Sequence, residues 1–178
     1  VALFYNSITL HDGNRYIGED STLSSLENFH PRLNRLLTDI NDFISQLERS
    51  NTNAVVIMVP EHGAAIRGDQ LQIAGLREIP TPSITKVPVG IKFVGPDWHH
   101  PGLSFKIDSA TSYYGLADLL SKLILVNPFQ DFKSSIVEEL LGNMPSYRFV
   151  SENEGVVIIE NEQQYFIRLE DDEWIDYN

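Results

Sequence analysis

Phe29, Leu33, Leu36, Leu37, Ile40, Phe43, Ile44 and Leu47 recur at steps of three and four, the period of a helix with one apolar face. Pro31 is expected in the first turn of that helix, where its missing N–H costs nothing. Asn51-Thr52-Asn53 is expected to end it. Before the helix, residues 1–10 gather β-branched and aromatic residues up to a turn signal, His11-Asp12-Gly13-Asn14, and read as a strand. After it, Ala54 to Val59 is a continuous apolar run of strand length. Strand, helix and strand at this spacing predict a βαβ unit, with both strands parallel in one sheet and helices on its faces.

The pattern then loosens. Residues 61–86 form a long loop punctuated by Gly63, Gly68, Gly75, Pro80 and Pro82, and loops of that length are commonly functional. Val87 to Val94 reads as a third strand with Pro88 near its start. A loop with Trp98, His99 and His100 leads into residues 112–126, where Leu116, Leu119, Leu120, Leu123 and Ile124 share a helical face. Phe132 to Leu141 predicts a shorter helix that Gly142-Asn143 ends. From Tyr147 the period changes to that of strands. Val156 to Ile159 and Tyr165 to Leu169 flank a turn at Asn161-Glu162, and Trp174-Ile175 closes a small β-meander within residues 144–178. No repeat or low-complexity tract interrupts the chain.

Composition narrows the function classes. The 178 residues are 42% hydrophobic and 21% charged, the balance of a globular domain with a real core. A net charge of -12 argues against a nucleic-acid partner, which calls for a basic footprint. There is no cysteine, so neither a disulfide nor a thiolate ligand can form within the chain. No run approaches the roughly 18 apolar residues of a membrane span. The sequence opens on Val1 inside an apolar stretch, and a domain rarely begins within a strand. A fragment is therefore expected, with membrane or targeting segments upstream.

Two polar clusters stand at strand ends. Glu61-His62 follows the apolar run and His11 follows the first strand. In α/β sheets ligands bind beyond the carboxyl ends of parallel strands, so the predicted topology brings the two clusters to one edge. Glutamate oxygen and imidazole nitrogen both suit Zn²⁺, at about 2.0–2.2 Å. Gly63 is expected to help by taking backbone angles closed to other residues, letting Glu61 and His62 face one ion. Each cluster also has a plainer reading, Glu61-His62 as a solvated loop and His11-Asp12-Gly13 as a turn. Two ligands also fall short of the three that a catalytic zinc takes.

"YNSITLHDGNRY" (5–16), "VPEHGAAIRGDQLQIAGLREIPTPSITKVPVGIKF" (59–93) and "VSENEGVVIIENEQQYFIRLEDDEWIDY" (150–177) resemble the cellulose phosphoethanolamine transferases of bacterial cellulose secretion, within the alkaline phosphatase/sulfatase superfamily. The likeness runs the length of the chain. The lipid A phosphoethanolamine transferases are similar more distantly, with Asp-His-Gly where this chain has Glu61-His62-Gly63. The resemblance implies the C-terminal part of an alkaline phosphatase-like three-layer αβα sandwich, with a mostly parallel sheet and the β-meander at 144–178. It implies Glu61 and His62 as zinc ligands, and Arg77 as a partner of phosphate oxygens through its planar fork. It implies His11 as a histidine that meets the phosphoryl group or protonates a leaving oxygen. Arg67 is a weaker candidate whose plain reading is a surface arginine. His99 and His100 match nothing in the family and are expected to be structural or exposed.

The activity so implied is zinc-dependent transfer of phosphoethanolamine from phosphatidylethanolamine to the glucose 6-hydroxyl of cellulose. It is placed in a periplasmic domain of an inner-membrane protein that works with the cellulose synthase complex, and the membrane is met only through a segment upstream. The family's serine nucleophile and cysteine ligand also fall upstream, so this chain alone is expected to be inactive. Two alternatives stay open: a phosphoethanolamine or phosphoglycerol transferase acting on a lipid or another glycan, and a non-catalytic scaffold module of a polysaccharide synthase.

Overall fold

The computed structural model describes residues 1–11, 22–100, 102–130, 139–170 and 172–177. The expected turn residues 12–14 and most of the helix expected from Phe132 lie outside them. Residues 139–142 are helical, and Asn143 donates to the Glu139 carbonyl at 3.0 Å where that helix ends.

Helix α1 runs from Ser25 to Arg49, starting earlier than the apolar stripe shows. A capping box sets the start. Ser24 Oγ accepts from the Glu27 amide, while the Glu27 carboxylate accepts from the Ser24 amide at 2.8 Å and hydroxyl at 2.6 Å. Those hydrogen bonds hold the Glu27 carboxyl below its ordinary range. Pro31 consequently lies inside the helix, not in its first turn. Two polar residues, Asn28 and Arg32, are the ones α1 buries most deeply. Strand β1 (Ala54–Met58), short helix α2 (Pro82–Thr85), strand β2 (Gly90–Val94) and helix α3 (Tyr113–Val126) follow. Ser112 caps α3 through its side chain, and Asn127 ends it in the left-handed region at φ 49°.

The βαβ expectation is corrected here. Strand β1 pairs antiparallel with β2, with Ala54 opposite Val94 and Met58 opposite Gly90, in a two-stranded sheet. Residues 1–8 form no strand, and Val1, Leu3, Phe4 and Tyr5 stand in solvent. A strand needs a partner edge for its backbone groups, and β1 takes its partner from downstream. Among the described residues both sheets are antiparallel, so the mostly parallel sheet is not seen in this chain.

The C-terminal meander follows the sequence closely. Strands β3 (Val150–Asn153), β4 (Val156–Asn161), β5 (Gln164–Leu169) and β6 (Ile175–Tyr177) pair in order, each antiparallel to the next. Ile158 and Ile167 lie directly opposite one another and are fully buried, so this cross-strand pair centres the meander core. Val94, Ile84, Leu119 and Leu123 are further buried apolar side chains among the described residues.

The meander also holds the long connection between β1 and β2. Ser151 Oγ donates to the Pro80 carbonyl at 2.6 Å and Asn153 Nδ2 to the Glu78 carbonyl at 2.8 Å. Lys86 Nζ donates to Tyr165 Oη at 2.6 Å, pairs with Glu160 at 3.4 Å, and lies 5.1 Å from the centres of the Phe149 and Tyr165 rings. Burial alone would pull the Lys86 ammonium down, but Tyr165 and Glu160 outweigh it and hold it above its ordinary value. From Asp69, one strut reaches the Tyr177 hydroxyl on β6.

Candidate functional site

The connection from β1 to β2 carries the candidate side chains. Glu61 and His62 leave the carboxyl end of β1, as expected from their place after the apolar run. Tyr113, the first residue of α3, donates its hydroxyl toward the Pro60 carbonyl at 3.2 Å and the Glu61 carbonyl at 3.3 Å. Past them the chain is pinned to α2, where the Gly63 amide donates to the Ile84 carbonyl at 2.6 Å.

Gly63 is required, though not for the reason the sequence offered. It is absent from the positive-φ glycines, which among the described residues are Gly68, Gly75, Gly95 and Gly155. What demands glycine is space. A Cβ at Gly63 would collide with the Ser83 carbonyl oxygen and press on Ser83 C and Ile84 Cα, at 3.0 and 3.1 Å. The backbone of the site and the backbone of α2 meet with no room for a side chain.

The imidazole of His62 is held at both nitrogens. Arg77 Nη1 lies 2.7 Å from Nε2, and the Gly63 carbonyl lies 2.9 Å from Nδ1. A guanidinium has only donors, so Nε2 must accept. The ring is then the neutral tautomer with its hydrogen on Nδ1, donated to the Gly63 carbonyl. An imidazole oriented by a backbone carbonyl is the usual support of a metal-ligating histidine, with Nε2 as the ligand atom. The structure therefore brings together His62 and Arg77, fifteen residues apart in sequence, and leaves Glu61, the residue before His62, exposed.

Arg77 is carried on a braced loop. Gln72, 8% exposed, donates to the Asp69 carboxylate at 3.1 Å and the Ile79 carbonyl at 2.9 Å, and accepts from the Ile79 amide at 3.1 Å. Asp69 also accepts from the Leu71 and Gln72 amides, at 2.8 and 3.0 Å. Burial pushes the Asp69 carboxyl up, but those bonds and one from Tyr177 outweigh it, leaving it below the usual carboxylate range. A cleft of about 240 Å³ opens in this loop, lined by Ala65, Arg67, Asp69, Gln72, Leu76 and Ser83. Arg67 is an exposed residue on its wall.

His11 has a support of its own. Arg32, 2% exposed, donates to the carbonyls of His11 at 2.8 Å and Thr9 at 3.3 Å, tying that segment to α1. His99 is exposed, and His100 lies edge-on to Trp98, which stacks on Phe93. Arg32, Gln72 and Tyr113 are the supporting residues that sequence reading missed. Arg32 did leave a trace, as a charge beside Leu33 at the border of the apolar stripe. The other two left none.

Among the described residues no group of three His, Cys, Asp or Glu side chains gathers as a metal site. The donors present are chemically suitable: one open carboxylate, and one imidazole whose tautomer is already set for ligation through Nε2. Both are donor types that zinc accepts, and two are fewer than the ligands a zinc ion requires. In chemical terms, this is an α/β domain that presents a carboxylate, a fixed neutral imidazole and a guanidinium past a strand end.

Sequence comparison then places it. The chain belongs to the family described as Cellulose biosynthesis protein BcsG C-terminal domain, which matches residues 1–174. The Cellulose biosynthesis protein BcsG of Escherichia coli is 35% identical over 176 residues, and that of Salmonella typhimurium 36% identical over 176 residues. Each match covers 99% of this chain and 31% of the relative, so the chain spans about a third of the length of these proteins.

Proposed function

We propose that this chain is the part of a cellulose biosynthesis protein that supplies Glu61, His62, Arg77 and His11 to a zinc-dependent phosphoethanolamine transferase. The donor is phosphatidylethanolamine and the acceptor the glucose 6-hydroxyl of cellulose. The site lies in a periplasmic, alkaline phosphatase-like three-layer domain of an inner-membrane protein, alongside the cellulose synthesis machinery. The observation that carries this reading is the contact of Arg77 with His62 Nε2, with the preceding Glu61 exposed.

Glu61 and His62 would hold the metal, with further donors from outside the described residues. When bound, zinc supplies Lewis-acid polarisation and lowers the pKa of a hydroxyl nucleophile. Arg77 binds phosphate oxygens through paired N–H groups and stabilises the charge that grows on them. His11 meets the phosphoryl group or protonates the departing oxygen. The Gly63 carbonyl keeps the imidazole in the tautomer that ligation requires, and Tyr113 steadies the Glu61 backbone.

The test is transfer by the purified full-length protein from headgroup-labelled phosphatidylethanolamine to a cello-oligosaccharide. Transfer that disappears on chelation and returns with Zn²⁺ supports the reading. Transfer indifferent to chelation, or to Glu61→Ala, refutes the metal role.

A further inference from the structure

We infer that Arg77 and a metal ion compete for one lone pair on His62, so that metal binding releases Arg77 to the anion it serves. The inference rests on reading Glu61 and His62 as metal ligands. A neutral imidazole offers one in-plane lone pair. Here it is on Nε2, and Arg77 Nη1 occupies it at 2.7 Å. The other nitrogen is committed to the Gly63 carbonyl at 2.9 Å. Gly63 in turn is held by Ile84 at 2.6 Å and wedged against the backbone of Ser83, so that carbonyl keeps its place. Nε2 is therefore the nitrogen open to a metal, and a metal that takes it displaces the guanidinium.

The displaced group has somewhere to go. Gln72 braces the loop two residues on at Ile79, and the Arg77 amide donates to the Glu78 carboxylate at 3.1 Å, so the side chain turns without carrying the loop with it. Freed from His62, its N–H groups are available to phosphate oxygens. Without the metal, an incoming anion must first break the contact with the imidazole. Metal and anion thus raise each other's affinity through Arg77, and linkage makes the coupling equal in both directions. Such an arrangement suppresses anion capture by a site that lacks its metal.

The full-length protein, as wild type and as Arg77→Ala, is titrated with Zn²⁺ against a chromophoric chelator, first without phosphate and then with inorganic phosphate as the probe anion. Without phosphate, Arg77→Ala is expected to bind zinc about tenfold more tightly, the worth of one charge-assisted hydrogen bond. That gain should persist in molar salt, where simple charge repulsion is screened. Phosphate should tighten zinc binding in the wild type and do so less in Arg77→Ala. Unchanged or weaker zinc binding by Arg77→Ala, or a gain that vanishes in molar salt, overturns the competition and leaves the metal reading standing. Zinc binding that is absent, or indifferent to His62→Ala, removes both. Ring-nitrogen NMR of the zinc-free wild type needs no variant: His62 protonated at Nδ1 is expected, and protonation at Nε2 overturns the inference.

Discussion

Adding one methyl group at Gly63 should disturb the site more than its size suggests. A Cβ there meets Ser83 O, Ser83 C and Ile84 Cα, all backbone atoms that no rotamer change can move aside. Overpacking of this kind costs about 1–3 kcal/mol. Separating the two segments also loses the bond from the Gly63 amide to the Ile84 carbonyl, worth about 1 kcal/mol. The sum, about 2–4 kcal/mol, corresponds to a melting temperature lower by roughly 4–16 °C for a chain of this length. The Gly63 carbonyl that orients His62 should shift as well, so the Nδ1 hydrogen bond weakens. Gly102→Ala is the control, since a Cβ at Gly102 meets nothing within 4 Å. The assay is thermal unfolding of both variants by circular dichroism, with ring-nitrogen NMR of His62. Equal melting temperatures, with the His62 ring signals unmoved, would refute the close-approach reasoning.

Three further outcomes are expected. Stability should fall in acid through Asp69: its carboxyl is lowered in the fold, so its contribution is full above the ordinary aspartate value of about 3.9 and is lost as pH drops through the lowered one. Melting curves of wild type and Asp69→Asn should therefore converge on acidification, and a gap constant with pH would count against the brace. Arg32→Met should release residues 9–11 from α1 at a cost of about 1–3 kcal/mol, seen as faster hydrogen exchange at the His11 amide, which bonds to Ile8; unchanged exchange would show that His11 is held otherwise. Arg77→Ala in the full-length protein should slow transfer roughly 10²–10³-fold, as loss of a preorganised charge contact does, and a rate within twofold of wild type would discount its role.

Local pattern made much of this fold legible. The period-three-and-four stripe found α1, and the Leu119 and Leu123 face found α3, because amphipathic helices write their packing into consecutive residues. The meander was equally plain, since the apolar runs Val156 to Ile159 and Tyr165 to Leu169 flank a short turn at Asn161-Glu162. The first strand was not, because β propensity in residues 1–10 cannot say whether a partner edge exists. Its assignment misled the topology: the pairing of β1 with β2 is long-range, and an apolar run does not specify parallel or antiparallel neighbours. At the site, Glu61 and His62 announced themselves by standing after a strand. Arg77 came from family likeness alone, for its contact with His62 depends on how a glycine- and proline-rich loop folds back. The need for Gly63 was visible, yet its cause lies in Ser83, twenty residues on.

The central claim is that His62 belongs to a site which decorates cellulose. Solid-state phosphorus NMR of cellulose from bacteria whose full-length protein carries His62→Ala tests it most directly, with His99→Ala as a matched control. The account predicts cellulose without phosphoethanolamine from His62→Ala and normal decoration from His99→Ala. Full decoration with the His62→Ala protein present at wild-type levels would contradict it.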